Sequence, residues 1–299
     1  MFSIITVNWN GEAFLESYFK SLLDQTYKDF KVYFVDNGSI DNSLKIINRY
    51  VTLMNIEVLN LNKNNGFAEA NNIGIKRAMK DKSEYIITLN NDLVLDQNCI
   101  EYLNNTIIKD NNKHYVFQIL MLNYFERNII DAAGIYFDKY FYASQIGYKK
   151  DISYLNEISC EIEGACAGAA AYSKKALNAI KDKEGGFFNP IFFAYYEDVD
   201  LTLRFIKLGY KAYVAKNSII YHLHSGTGID NSPFKTYYLT RNQLLYLRNN
   251  LEASIYKKYK FLYFFNIYRR IIYNIIKFDF KNAIAMINGL KDYSSLIGR

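Results

Sequence analysis

The chain has little cysteine, little proline and no long apolar run. Its three cysteines, Cys99, Cys160 and Cys166, are odd in number and lack any C-x-x-C spacing. That excludes a disulfide-stapled scaffold and fits reduced, cytosolic thiols. The longest apolar segment, 261–276, is interrupted by Asn266 and by Arg269-Arg270, and is too short to cross a bilayer. The start, Met-Phe-Ser-Ile-Ile-Thr-Val, has no basic leader followed by a long apolar stretch and a small-residue cleavage site, so no secretory signal is expected. No G-x-G-x-x-G follows the first strand, where Asn8-Trp-Asn-Gly stands instead; this argues against a dinucleotide-dependent oxidoreductase. A sugar nucleotidyltransferase would need a glycine-rich, arginine-bearing loop at the same place, and none is present. The two prolines accompany a surplus of Tyr, Phe, Asn, Ile and Lys, a coding bias without functional weight.

Half of the 299 residues are apolar, enough to bury a sizeable core in one large α/β domain with a smaller appendage. The formal charge of +6 is concentrated at the end, where residues 243–299 hold ten Lys/Arg against three Asp/Glu. A basic, aromatic-rich tail can lie on an anionic membrane surface; the plainer alternative is a pair of helices packed on the main domain. Nothing points to nucleic acid, and oligomeric state stays open.

Through the first hundred residues, apolar runs alternate with polar turns and helical patterns, as a parallel sheet with crossover helices requires. Strands are expected at 2–8, 30–36, 56–61 and 85–90, and helices at 12–25, 41–50 and 68–80. Further strands are expected at 115–122 and 129–137. Ligands of open parallel sheets bind beyond the carboxyl ends of the strands. Here those ends read Asn8, Asp36-Asn-Gly-Ser39 and Asn90-Asn91-Asp92. The run Gly164-Ala165-Cys-Ala-Gly-Ala-Ala-Ala lacks bulk and would let backbone approach a ligand closely.

Four constellations could carry chemistry, and each has a bland local explanation. Asp36 can accept hydrogen bonds from a base or ribose, or simply cap an Asx-Gly turn. Asn90-Asn91-Asp92 offers hard oxygen ligands for Mg²⁺ or Mn²⁺, or an ordinary strand-end turn. In Phe192-Phe-Ala-Tyr-Tyr-Glu197-Asp198-Val-Asp200, acids at a helix start suit the helix dipole. Capping alone does not explain why they follow five large apolar residues nearly without interruption, and a carboxylate beside such a wall can be poised as a general base. Tyr221-His222-Leu-His224-Ser-Gly-Thr-Gly holds two of the three histidines, at even odds of being ligands. His114, isolated in a polar run, reads as surface.

Taken in order and with their spacing, these segments resemble the family 2 inverting glycosyltransferases of the GT-A fold, especially the rhamnosyltransferase-like branch. The likeness runs from Ile4-Ile-Thr-Val-Asn-Trp-Asn-Gly through Val35-Asp-Asn-Gly-Ser, Asn64-Asn-Gly-Phe-Ala-Glu-Ala-Asn-Asn-Ile-Gly and Leu89-Asn-Asn-Asp. It continues through Glu163-Gly-Ala-Cys, Phe193-Ala-Tyr-Tyr-Glu-Asp-Val-Asp-Leu, His222-Leu-His-Ser-Gly-Thr and Tyr237-Tyr-Leu-Thr-Arg-Asn. It implies an α/β GT-A domain over residues 1–245, with a mostly parallel sheet flanked by helices, and a helical appendage over 246–299. It implies Asn8, Asp36, Asn72, Asn90, Asn91 and Arg241 at the nucleotide, with Arg241 at the diphosphate, and Gly164 and Ala165 at the donor sugar. Asp92 and His222 would serve a Mg²⁺ or Mn²⁺ ion, Asn90 departing from the acidic first position of the D-x-D-like motif. Asp198 would be the base, supported by Glu197. The expected activity moves one sugar from a nucleotide donor, dTDP-rhamnose or a UDP-hexose, to a glycan or lipid-linked glycan. The absence of a Q-x-x-R-W motif speaks against a processive synthase. A cytoplasmic enzyme, peripheral on the membrane through its tail, is the expectation; a silent nucleotide-sugar-binding module is the alternative.

Overall fold

The computed structural model describes residues 1–182, 186–223 and 232–297. The first apolar run forms β1 (Phe2–Asn8). The chain then alternates through α1 (Glu12–Leu23), β2 (Phe30–Asp36), α2 (Ser43–Tyr50), β3 (Ile56–Asn60), α3 (Gly66–Ala78) and β4 (Tyr85–Leu89). β1 pairs in parallel with β2 on one side and β4 on the other, and β2 pairs with β3. These strands are apolar at two thirds of their positions, on both faces, because helices cover both sides of the sheet. Ile4, Val32 and Phe34 share a core with Leu15, Phe19 and Ile47, whereas Ile5, Tyr33 and Val35 pack with Ala68 and Ile75 of α3.

The next stretch supplies β5 (Leu93–Leu95), α4 (Cys99–Asp110), β6 (Val116–Asn123), β7 (Ile130–Ala132), β8 (Ile135–Phe137) and β9 (Ala143–Gln145). It is followed by β10 (Glu161–Ile162), β11 (Ala169–Ser173), α5 (Lys174–Ile180), α6 (Glu197–Lys207) and β12 (Ala212–His222). The sheet order is β3-β2-β1-β4-β11-β6-β12-β10, with β5 on β12 and β7 on β6. Its longest registers, β1 with β2 and β6 with β12, are parallel. The expected α/β architecture is present.

Several local expectations change. The small-residue run lies partly within the sheet: Ala169, Ala170 and Ala171 are fully buried in β11, which runs antiparallel between β4 and β6. The single strand expected over 129–137 is two, because Gly134, at φ +125°, turns the chain where a Cβ would strike Ile162. β7 then joins the main sheet and β8 pairs with β9. His114 is buried, not on the surface, its Nδ1 2.6 Å from Asp110 and Nε2 3.2 Å from Glu161.

Three helices complete the described chain: α7 (Pro233–Asn250), α8 (Ala253–Ile276) and α9 (Phe280–Ile297). The boundary expected at 245 falls inside α7. Leu244, Tyr246, Tyr263, Ile267 and Met286 of these helices share one core with Phe192, Val199 and Leu203, each such burial contributing roughly 1.5–3 kcal/mol. Gly289 lets α9 lie close on α7, since a Cβ there would stand 2.8 Å from the Tyr237 carbonyl oxygen. No helix among the described residues is long and apolar enough to cross a membrane.

Candidate active site

Strand ends β1, β2 and β4 open into a cavity of about 560 Å³, within the size range of small-molecule sites. Asn37, Asn64, Asn90 and Asn91 line it, as do Asp92 with its neighbours His222 and Asp131, and the adjacent acids Glu197 and Asp198. Behind this lining lies a network of buried amides. The Asn8 side chain donates to Asp36 Oδ1 and to Ser39 Oγ, both at 3.0 Å, and accepts from Asn91 Nδ2 at 2.7 Å. Asp36 Oδ2 takes the Ser39 backbone N–H. The network ties three strand-end loops together, and full satisfaction makes such a cluster rigid.

At the end of β4, Asp92 presents two different oxygens. Oδ2 is 3.2 Å from His222 Nε2, while Oδ1 is buried and has no hydrogen-bond partner, as is Asn90 Oδ1. Orphaned hard oxygens of this kind suit a divalent cation. Among the described residues no three His, Cys, Asp or Glu side chains form a metal cage, so such an ion would depend on substrate oxygens; His224 lies outside the described residues. His222 stands at the end of β12, with Nδ1 2.6 Å from Asp131 of β7. Burial opposes its charge, but hydrogen bonds to Asp131 and Asp92 and their negative charges prevail, raising its pKa to about 9. As imidazolium it donates to both carboxylates, occupying the side of Asp92 that a metal would contest.

The wall that carries Glu197 and Asp198 begins with a strained aromatic turn. Phe193, Tyr195 and Tyr196 have φ of +61°, +67° and +68°, a left-handed conformation costly for side chains of this bulk. What holds them comes from α7. Asn242 Nδ2 lies 2.8 Å from each of the carbonyl oxygens of Phe192, Ala194 and Tyr195, and Asn242 Oδ1 accepts from Arg241 Nε at 2.8 Å. The Arg241 guanidinium donates to Ile191 O at 2.6 Å and Phe192 O at 3.0 Å and lies over the Tyr238 ring. The turn delivers Glu197 and Asp198 to the first turn of α6.

These two acids have different surroundings. Asp198 accepts backbone N–H bonds from Ala167 at 3.2 Å and Val199 at 2.8 Å. Glu197 Oε2 is buried with no hydrogen-bond partner. Burial raises both pKa values, and the Asp198 charge pushes Glu197 further, well above the usual carboxylate range. Of the two, Glu197 is the acid pushed further toward its protonated form, while the N–H donors at Asp198 favour charge there.

Several expected contacts lie elsewhere. Asn8 and Asp36 are fully buried behind the wall and bonded to each other; Asn37, itself buried and donating to Asn64 Oδ1, and Asn64 line the cavity in front of them. Asn72 is not at the cavity: its amide accepts the N–H groups of Phe187 and Phe188 and donates to Phe188 O, tying α3 to the segment before the aromatic turn. Arg241 is a clamp on that turn and not a cavity group. Gly164 and Ala165 are away from the cavity; Gly164 is small because a Cβ would stand 2.2 Å from Thr202 on α6. Cys166 and Gly168 of the same run do line it. Asp131 and Asn242 escaped the sequence reading. Their signals were an acid inside the apolar run Ile129-Ile-Asp-Ala-Ala and an Asn inside a helix, where its propensity is poor.

The model of the family described as "Glycosyl transferase family 2" matches residues 3–181. The glycosyltransferase GlyG of Streptococcus pneumoniae is 33% identical over 104 residues, 34% of this chain and 34% of that protein. The cholesterol galactosyltransferase of Borreliella burgdorferi is 28% identical over 110 residues, 37% and 30% of the two chains. The matched stretch thus spans about a third of the length of these relatives. Staphylococcus aureus TarS 1–349 in complex with UDP-GlcNAc superimposes with a TM-score of 0.60 at 19% identity, over 98% of this chain and 80% of that one. The mannosyltransferase PcManGT of Pyrobaculum calidifontis, with GDP-Man and Mn²⁺, gives 0.59 at 11% identity over 99% and 78%. These two are likenesses of fold. The family model covers more than half of the chain, and the chain belongs to glycosyl transferase family 2.

Proposed function

We propose that this protein is an inverting, non-processive hexosyltransferase. It moves one sugar from a nucleoside diphosphate donor, dTDP-rhamnose or a UDP-hexose in the manner of the rhamnosyltransferase-like branch, to a hydroxyl of a glycan or lipid-linked glycan. The reading places it on the cytoplasmic side, with its C-terminal segment peripheral to the membrane. The observation that carries it is one cavity lined both by Asp92, with its orphaned oxygen, and by Asp198, whose carboxylate accepts two backbone N–H bonds beside an aromatic wall. Binding of UDP-GlcNAc by TarS and of GDP-Man with Mn²⁺ by PcManGT supports a nucleotide-sugar donor here.

Asn37 and Asn64 would meet the nucleotide; Asp92 with Asn90 would hold Mg²⁺ or Mn²⁺, and His222 would join them on giving up its Nε2 proton. When bound, that ion neutralises the departing diphosphate. Asp198 takes the acceptor hydroxyl proton as the oxygen attacks the anomeric carbon; the bond to the diphosphate breaks, and configuration inverts. Glu197 keeps its own proton, so Asp198 carries the charge the step requires.

The test is nucleoside diphosphate release across a panel of nucleotide sugars. Asp198→Asn should abolish release and leave nucleotide affinity within a few fold, whereas Glu197→Gln, which resembles the protonated acid, should retain most of the rate. Release by Asp198→Asn at the parental rate would remove the base assignment. A chelator should stop turnover, and Mn²⁺ or Mg²⁺ should restore it.

A further inference from the structure

α8 is apolar on two opposite faces. Tyr263, Ile267 and Ile271 point into the core. On the other side Phe261, Phe265, Tyr268, Ile272 and Ile276 recur every three or four residues, the spacing of one helical face, and are 82%, 52%, 54%, 57% and 67% exposed. The stripe continues past the end of the helix through Phe278 and Phe280, both more than half exposed. A run of large side chains along a helix about 36 Å long is far beyond the scattered apolar residues of an ordinary surface.

The charges beside the stripe select what covers it. Residues 253–281 carry seven cations, Lys257, Lys258, Lys260, Arg269, Arg270, Lys277 and Lys281, against one acid, Asp279. All seven are exposed. On the helical wheel Lys258 and Arg269 fall beside the apolar stripe, at its margin. A two-fold pairing with a second copy would set this patch against itself, bringing like charges together around the apolar contact. An anionic lipid surface instead meets Lys258 and Arg269 with an opposite charge, while Phe, Tyr and Ile enter the interface.

We propose that the outward stripe of α8, continued through Phe278 and Phe280, is a membrane-docking face that lies flat on bilayers containing anionic phospholipid. This extends the peripheral contact proposed above to a defined face and lipid class. It does not depend on which sugar is transferred.

The experiment is co-sedimentation of the full chain with vesicles of phosphatidylcholine alone and of phosphatidylcholine mixed with phosphatidylglycerol, without donor or acceptor. Binding should require phosphatidylglycerol and weaken at high salt. Two sets of exposed-residue substitutions separate the contributions: Phe261→Ser with Phe265→Ser and Ile272→Ser, and Lys258→Gln with Arg269→Gln. Each set should lower vesicle partitioning at least about tenfold with unchanged melting temperature and unchanged nucleoside diphosphate release in solution. Equal binding to neutral vesicles, no binding at all, or full binding by the triple variant would overturn the proposal. So would a stable dimer in sedimentation equilibrium that the triple variant converts to monomer. Because no sugar is transferred in the assay, failure here leaves the catalytic reading standing, and loss of catalysis leaves this one standing.

Discussion

Asn242 is the residue whose replacement tests the architecture of the site most directly. Its Nδ2 carries two hydrogens and lies 2.8 Å from three carbonyl oxygens, those of Phe192, Ala194 and Tyr195. Asn242→Leu keeps the volume and removes both donors. At least two carbonyls then lose their partner, at about 1–3 kcal/mol each where they are buried. Against this, the turn they belong to contains three positive-φ residues whose strain, about 1–3 kcal/mol each, is partly relieved once the clamp is gone. The net loss of stability is therefore expected near the lower end, about 2–3 kcal/mol. For a chain of 299 residues that lowers the melting temperature by about 3–5 °C.

The catalytic consequence is more diagnostic. The turn leads directly into Glu197 and Asp198, and a displacement of about 1 Å at a reacting group costs on the order of 10²-fold in rate. Asn37 and Asn64 follow β2 and β3 and are bonded to each other, meeting the turn only where the start of α3 touches Phe193, so nucleotide affinity measured by calorimetry should fall far less than kcat. Asn242→Asp should be worse than Leu, because a carboxylate would face carbonyl oxygens. If Asn242→Leu melts within about 2 °C of the parent and turns over at the parental rate, the clamp is not what positions Asp198.

Asp131 holds His222 Nδ1 at 2.6 Å, the arrangement by which carboxylates orient histidines at metal sites. Asp131→Asn should accordingly weaken Mn²⁺ binding about 10–100-fold by calorimetry, and unchanged affinity would detach His222 from the metal. The pKa of His222 is raised from 6.5 to about 9, so the stability it contributes is fully present below pH 6.5 and is lost as pH rises through about 9. In chelator, the stability of the parent relative to His222→Gln should fall by up to about 3 kcal/mol across that window; a difference that stays flat with pH would refute the triad.

The parallel half of the fold was legible because its determinants are local. Each strand from β1 to β4 is an apolar run closed by polar turn residues, and each intervening helix carries its own buried stripe. Roles that depend on distant partners were not legible. Asn72 and Arg241 are polar residues in sequence surroundings that suggest ligand contact, yet their partners are backbone groups of the segment 187–192, 115 and 50 residues away in sequence. Gly164 looked permissive for a ligand and is permissive for a helix, since only the folded chain brings Thr202 against it. Asp92 and Asp198 were recognisable in the sequence. That Asp92 keeps one oxygen orphaned, and that Glu197 is pushed further than Asp198 toward its protonated form, follows only from burial and hydrogen bonds.

The C-terminal helices share a core with the helix that carries the proposed base. α7 supplies the clamp on the aromatic turn. The inward face of α8, through Tyr263, Ile267 and Ile271, belongs to the same core as Phe192 on that turn and Val199 and Leu203 on α6, the helix that begins with the acids. Removing everything beyond Asn250 would therefore strip the support behind Asp198 together with the stripe on the far side of α8, and loss of membrane binding and loss of turnover would arrive together for different reasons. Substitutions confined to the outward stripe leave the inward contacts intact. If the outward stripe docks on lipid as proposed, a helix with its other face on the core behind the proposed base would also set how the cavity is carried relative to the bilayer.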